Sequence, residues 1–435
     1  MSFLKNSVMT LFTRIFVFLL MLTASVYIAR VLGPEAKGIY ALLTQLVFLS
    51  VLFMDLGIQN ASVFFLGKKE PLDRIYPNVI SISLITGLIV FVCLLSSLSF
   101  LKSTFLRNID SGLILVAIFC IPFKIFTELS SSVILGINKI RAMNTLRITH
   151  FSLFLIIFSI LVIALKLQLK GAILSFTITE LIMVFVYLLA ISKWSRICLR
   201  FDFKLIKKLL RYGICGFLVP LLLLLIFRID FFLLNFFQGV KSVGFYSVAV
   251  SFAELLWLVP EVIGMILFAK LASGRPELIK QNTMQTLRIL FSMLVMFSLL
   301  LFSFASRVII FVYGEQYLSS IVLMRILIPG FLMMALYYIF FSYFFSKGRP
   351  EIVTLVIFLT MIIKIILATI LIPAWGIRGA AVCSTITYLL CASAFITVFL
   401  KYTKASLLEI LLVKFSDLQL LYNQLRICHP LKKQR

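Results

Sequence analysis

The chain has 435 residues, a formal net charge of +25 and a mean hydropathy of +1.15, with 62% hydrophobic and only 13% charged residues. A soluble domain carries roughly 25% charged residues, and this sequence has too little polar surface to cover a water-exposed body of its size. A soluble enzyme and a soluble nucleic-acid binder are both excluded, so the chain reads as an all-α polytopic membrane protein.

A membrane-spanning helix takes about 20 mostly apolar residues. Twelve stretches reach that length, near residues 11–32, 39–66, 78–101, 112–136, 145–165, 171–192, 212–237, 243–269, 289–312, 319–345, 352–373 and 379–400. The first is too long for a signal peptide and lacks a small-residue cleavage site, so it is expected to be retained. With the N-terminus placed in the cytoplasm, the cytoplasmic segments hold 27 Lys and Arg and the opposite side 9. That asymmetry predicts that both termini are cytoplasmic. The expected layout is an N-terminal six-helix half (1–192), a basic cytoplasmic linker (193–211), a C-terminal six-helix half (212–400) and a basic cytoplasmic tail (401–435). Within the tail, the apolar run Leu407–Val413 is too short to cross and is expected at the interface.

The seven cysteines are scattered, with no Cys-x-x-Cys pair, and His150 and His429 are far apart. Neither pattern has metal-ligand spacing, so no metal or other cofactor is expected.

The two halves resemble each other. Gly38-Ile39-Tyr40 matches Gly244-Phe245-Tyr246, and at the same separation after each glycine stands an acid, Asp55 or Glu261. Gly171-Ala172 with Thr177-Ile178-Thr179 pairs with Gly379-Ala380 and Thr385-Ile386-Thr387, and Asn138-Lys139 pairs with Gly348-Arg349. The offsets drift slowly from 206 to 210. Six spans return the chain to its starting side, so the repeats are parallel, an arrangement found in transporters with a substrate path between their halves.

The stretch Ala29-Arg30-Val31-Leu32-Gly33-Pro34-Glu35-Ala36-Lys37-Gly38-Ile39-Tyr40-Ala41-Leu42, then Asp55-Leu56-Gly57-Ile58 with Asn60-Ala61, resembles the opening of polysaccharide flippases. Leu209-Leu210-Arg211-Tyr212-Gly213 is similar to that family's second-half entry. These are the O-antigen and capsule repeat-unit translocases of the multidrug/oligosaccharidyl-lipid/polysaccharide (MOP) exporter superfamily. The resemblance implies twelve helices in a V-shaped pair of six-helix lobes around a central cavity, in the bacterial inner membrane. It implies a substrate of undecaprenyl diphosphate carrying one oligosaccharide unit, moved to the outer leaflet; alternating access is the expected mode, and coupling to H+, to Na+ or to the membrane potential stays open. The expected partners are that substrate and membrane lipids, with a polysaccharide polymerase and chain-length proteins, and no nucleic acid; a monomer suffices. Gly33 and Pro34 end helix one, and Gly38 lets helix two start close to its neighbour.

Three cations (Lys124, Arg228, Lys364) and six acids (Asp55, Glu128, Glu180, Asp230, Glu254, Glu261) fall well inside spans. Unpaired, such groups would cost on the order of 20–30 kcal/mol together, so most must face protein or a wet cavity. Arg228 is the first candidate for a diphosphate contact, and Lys364, Lys124 and Arg14 are further cationic candidates. Each has a structural alternative: Lys124 and Glu128 stand i,i+4 and can simply pair, and Arg228 can hold an acid elsewhere. Asp55, Glu254, Glu261 and Asp230 are the ion-coupling candidates. Glu254 and Glu261 share a helix face, and two close carboxylates in low dielectric do not both ionise readily. Their alternative is pairing with cations, and that of Asp55 is a helix cap. Trp257 and Tyr246 are candidates for sugar stacking. With three cations against six acids, a multidrug or cation antiporter of the same superfamily stays open as the second reading. A membrane enzyme is disfavoured, because no external connection is long enough to carry a catalytic loop.

Overall fold

The computed structural model describes residues 2–272 and 276–411, which form helices joined by short turns, with no strand among them. In chain order these are α1 (Ser2–Tyr27), α2 (Gly33–Asp55), α3 (Ile58–Gly67), α4 (Leu72–Ser96), α5 (Leu98–Ser103), α6 (Ser111–Gly136), α7 (Ile140–Phe158) and α8 (Gln168–Ile191). The chain continues through α9 (Phe203–Gln238), α10 (Val240–Ala253), α11 (Leu255–Ala272), α12 (Pro276–Tyr313), α13 (Leu318–Ala335), α14 (Tyr337–Ser346), α15 (Pro350–Thr403) and α16 (Leu407–Leu411).

Among the described residues nine helical stretches, or ten with the bent pair α10–α11, are long and apolar enough to cross a membrane. Two of them are double. Ile15–Asp55 and Pro350–Thr403 hold 41 and 54 residues, about 60 and 80 Å at 1.5 Å per residue, against a hydrocarbon core of about 30 Å. Each is broken where a glycine leaves the helical backbone, at Gly33 (φ 83) and Gly376 (φ 56). Counting both as two passes, the twelve expected spans all fall on helix. The protein is a multi-pass membrane protein.

The sequence repeat reappears as repeated local geometry. Gly33 (φ 83, ψ 179) and Gly239 (φ 79, ψ 171), at equivalent positions of the repeat, turn the chain in the same way, in a region only glycine occupies freely. Asn138 (φ 58) and Gly348 (φ 68) form equivalent left-handed corners ahead of α7 and α15. Thr177 Oγ1 donates to the Val116 carbonyl at 3.3 Å, and its counterpart Thr385 Oγ1 donates to the Ile326 carbonyl at 2.6 Å.

By packing, the chain falls into two compact units: Met1–Ser247 with Ile310–Tyr317 and Ile372–Ile377, and Val248–Ile309 with Leu318–Leu371 and Arg378–Arg435. The first unit therefore takes in α9, which the repeat places in the second half. In the first unit α6 is the central helix, packed by α2, α3, α4 and α8. In the second, α11 packs on α13 and α14, and an aromatic core joins Trp257, Phe331 and Tyr388.

The expected linker is only partly a connection. Residues 203–211 are already helix, because Asp202 accepts from the Leu205 N–H at 3.1 Å and caps α9. The apolar run after residue 406 is helical over Leu407–Leu411, started by a reciprocal capping box between Ser406 and Glu409; the rest of the tail lies outside the described residues.

Candidate functional site

The first unit carries a buried charge cluster assembled from three helices. Lys124 projects from the middle of α6, His150 from α7 and Glu180 from α8. Lys124 Nζ lies 2.9 Å from Glu128 Oε1 and 3.0 Å from Glu180 Oε1, and His150 Nε2 lies 3.1 Å from the same Glu180 oxygen. Thr127 Oγ1 donates to Glu180 Oε2 at 2.8 Å. The Phe48 ring of α2 lies 5.8 Å from the Lys124 ammonium. Glu180 is fully buried, Lys124 and His150 nearly so, whereas the Glu128 side chain is 38% exposed.

An ionised Glu180 in this dry position is tolerable only while cations or hydrogen-bond donors compensate it. The Lys124 ammonium fills the place between the two carboxylates. Among the described residues no group of three His, Cys, Asp or Glu could hold a metal ion.

Asp55 ends α2 and is buried. Its Oδ1 accepts from the Gln59 N–H at 3.0 Å, capping α3 across the left-handed corner Leu56 (φ 47)–Gly57 (φ 76). Gly213 packs on this corner, and a Cβ there would lie 2.7 Å from the Leu56 carbonyl oxygen. The Asp-Leu-Gly-Ile and Leu-Leu-Arg-Tyr-Gly motifs are thus in direct contact.

On α9, Asp230 is fully buried and accepts from Tyr246 Oη at 2.9 Å, while Arg228 is half-buried with its guanidinium 5.8 Å from the Phe231 ring centre. Lys364 is fully buried, with Nζ 2.6 Å from Ser384 Oγ and 5.4 Å from the Tyr388 ring centre. Glu254 stands at the break between α10 and α11 and Glu261 one residue past Pro260, both half-buried. Arg14 lies on α1, and its side chain is outside the described residues. Tyr246 and Trp257 are buried rather than open to a sugar: Trp257 stacks on Phe331 at 4.4 Å and donates to the Phe331 carbonyl at 3.0 Å.

Residues 3–269 match the model of a family described as "Polysaccharide biosynthesis protein", more than half of the chain. The chain belongs to that family. This family member is 25% identical over 408 residues to a Shigella flexneri protein described as "Putative O-antigen transporter", covering 90% of this chain and 96% of the other. Its fold is that of two solved transporters of low identity. One is the lipid II flippase MurJ in an inward closed conformation (TM-score 0.77, 16% identity, 99% of this chain and 94% of the other). The second is an inward-facing MATE multidrug transporter of the MOP superfamily (TM-score 0.74, 16% identity, 90% and 96%). The all-helical fold and the membership of a polysaccharide-biosynthesis family agree with the sequence expectations.

Sequence reasoning found Lys124 and Glu128 as an i,i+4 pair. It gave His150 no partner and Glu180 little weight, because the two stand far apart in sequence and on different helices. The only signal available was that both are polar in otherwise apolar spans.

Proposed function

We propose that this protein is a flippase that moves an undecaprenyl-diphosphate-linked oligosaccharide unit from the cytoplasmic to the outer leaflet of the bacterial inner membrane. The observation that carries the reading is the similarity to an O-antigen transporter along nearly the full length of both chains. The parallel repeat and the MOP fold support alternating access as its mode of action. Both termini face the cytoplasm on this reading, as the Lys/Arg asymmetry favours.

The cluster of Lys124, Glu128, His150 and Glu180 is the coupling set we assign first, with Asp55, Asp230, Glu254 and Glu261 as further carboxylates of the cycle. Lys124 bridges the partly exposed Glu128 and the buried Glu180, so a change at either carboxylate is passed to the other through one ammonium. Arg228 is assigned to the diphosphate, because a planar guanidinium can bridge two phosphate oxygens. Arg14 and Lys364 are the secondary cations, Lys364 acting from a fully buried position. The polymerase and chain-length proteins are the partners that would consume the product.

The deciding experiment is a gene deletion followed by assay of each leaflet for lipid-linked repeat units. Single units stranded in the cytoplasmic leaflet are expected. The likeness to a MATE transporter favours a second reading, a multidrug or cation antiporter. Hypersensitivity to hydrophobic cations with normal surface glycan would replace the flippase reading with that one.

A further inference from the structure

Between α8 and α9 the chain does not hang free. The Ser195 hydroxyl donates to Asp73 Oδ1 at 2.8 Å and the Arg196 N–H to the same oxygen at 3.2 Å. The Arg200 N–H then donates to Ser81 Oγ at 3.1 Å, and the Asp202 N–H to Asn78 Oδ1 at 2.7 Å. Arg74 closes the return with two contacts to Asp202 Oδ2, at 2.8 and 3.1 Å. Asp73 and Ser81 are eight residues apart on α4, about 12 Å at helical rise. The four steps from 196 to 200 cover that distance when the chain is nearly fully extended, at about 3.3 Å each. The segment climbs α4 and comes back, and in an extended chain successive side chains alternate in direction.

Over 196–200 the residue types follow that alternation, and Phe201 at the turn and Phe203, the first residue of α9, continue the exposed apolar series. Ile197, Leu199, Phe201 and Phe203 are 47%, 61%, 51% and 79% exposed. Between them stand Arg196, Cys198, Arg200 and Asp202, with Lys193, Lys204 and Lys207 exposed on either side. Four large apolar side chains facing water would leave their burial unrealised, which is unfavourable. Depth supplies the missing partner. Counting about 20 residues of span back from Ser96 puts the hydrocarbon boundary near Pro77. Ser81, where the segment turns, is then about 6 Å inside it, within the 5–10 Å at which interfacial segments seat their apolar face.

We infer that residues 196–203 form a strap inserted into the membrane leaflet on the side where α4 begins. Its Ile197, Leu199, Phe201 and Phe203 side chains lie among acyl chains, and Arg196, Arg200 and the flanking lysines contact lipid phosphates. The occupant is leaflet phospholipid with an anionic headgroup, argued from the charge complementarity and from continuity with the exposed apolar face of α4 at Leu84, Ile85 and Leu88. The isoprenyl diphosphate of the proposed substrate shares the phosphate chemistry, so the experiment separates the two sources.

The test uses the full-length protein with its cysteines at 93, 198, 215 and 428 replaced by serine. A nitroxide is placed at each position from 196 to 203, and the protein is reconstituted in phosphatidylethanolamine/phosphatidylglycerol vesicles free of isoprenoids. Collision rates with oxygen and with a water-soluble nickel complex report depth. The oxygen-to-nickel ratio should be at least about twofold higher at 197, 199, 201 and 203 than at 196 and 200, as an interfacial strap requires. Uniform nickel access would overturn the proposal, because the segment would then lie in water. An alternation that appears only after undecaprenyl diphosphate is added would also overturn it, in favour of substrate capture. Replacing phosphatidylglycerol with phosphatidylcholine should reduce the depth of the odd positions; unchanged depth would overturn the anionic-headgroup contact. Asn78→Ala with Ser81→Ala should abolish the alternation while the protein still elutes as a folded species, and its survival would overturn the pinning by α4.

Discussion

Gly38 and Gly244, equivalent positions of the repeat, pack backbone against backbone where α2 and α10 begin. A Cβ on Gly38 would lie 3.0 Å from the Gly244 nitrogen and overlap the Val240 carbonyl oxygen, and a Cβ on Gly244 would overlap the Pro34 carbonyl oxygen. The neighbour that Gly38 lets helix two approach is thus the start of its own counterpart.

Neither glycine can gain a methyl group without moving a main chain. Gly38→Ala and Gly244→Ala are each expected to destabilise the protein by about 1–3 kcal/mol, the usual range for overpacking. Gly67→Ala, with nothing within 4 Å of the new atom, is the control and should be neutral or slightly stabilising. Thermal unfolding in detergent distinguishes them; an unchanged midpoint for Gly38→Ala would show that the two backbones do not touch in solution.

Removing Lys124 leaves the fully buried Glu180 with less compensation. Lys124→Met should cost about 3–5 kcal/mol, the penalty for an orphaned buried charge, and Lys124→Met with Glu180→Gln should recover most of it. If the cluster couples ions, the double variant regains protein level without regaining surface glycan. Glycan per unit of membrane protein is the quantity to compare, and full glycan in the double variant would reduce the cluster to a structural role.

Asp55 can be dissected by isosteres. Asn keeps an oxygen for the Gln59 N–H, so Asp55→Asn should preserve stability, while Asp55→Ala should lose about 1 kcal/mol with the cap. Glycan export lost in both variants points to the charge, and export lost only in the alanine variant points to the corner it holds.

Arg228→Ala is expected to abolish surface glycan at normal protein abundance, with Arg228→Lys recovering part of it, since lysine supplies charge but no planar fork. Quantifying glycan in a deletion strain carrying each variant decides it. Loss of the protein itself in the alanine variant would make Arg228 a packing residue instead.

Two surface pairs tie α4 and the preceding turn to the 202–208 region: Lys208 with Glu70 at 2.7 Å and Arg74 with Asp202 at 2.8 Å. The hydrogen bond and charge of Lys208 hold the Glu70 carboxyl below its ordinary range, and the Arg74 hydrogen bond, helped by the Leu205 N–H, does the same for Asp202. A depressed carboxylate contributes stability above its unfolded pKa and loses it as pH falls through the folded value. Lys208→Ala should therefore lower the unfolding midpoint slightly at pH 7, and the gap to wild type should close below about pH 4. A gap that widened in acid would contradict the pairing.

The sequence by itself determined the membrane class, the twelve spans and the internal repeat. Apolar runs of sufficient length and left-handed corners such as Gly33 and Asn138 are local properties, written in consecutive residues. The i,i+4 pair of Lys124 and Glu128 was legible for the same reason, since one helix brings the two together. Glu180 and His150 were not, because what joins them to Lys124 is the packing of α6, α7 and α8, and side chains in apolar helices of similar composition give no register between helices. Tertiary structure likewise decided that Asp55 caps a corner, that Gly213 rests on that corner, and that the basic connection after α8 is bonded along α4. Each depends on where one helix lies against another, a relation fixed by close packing of many residues.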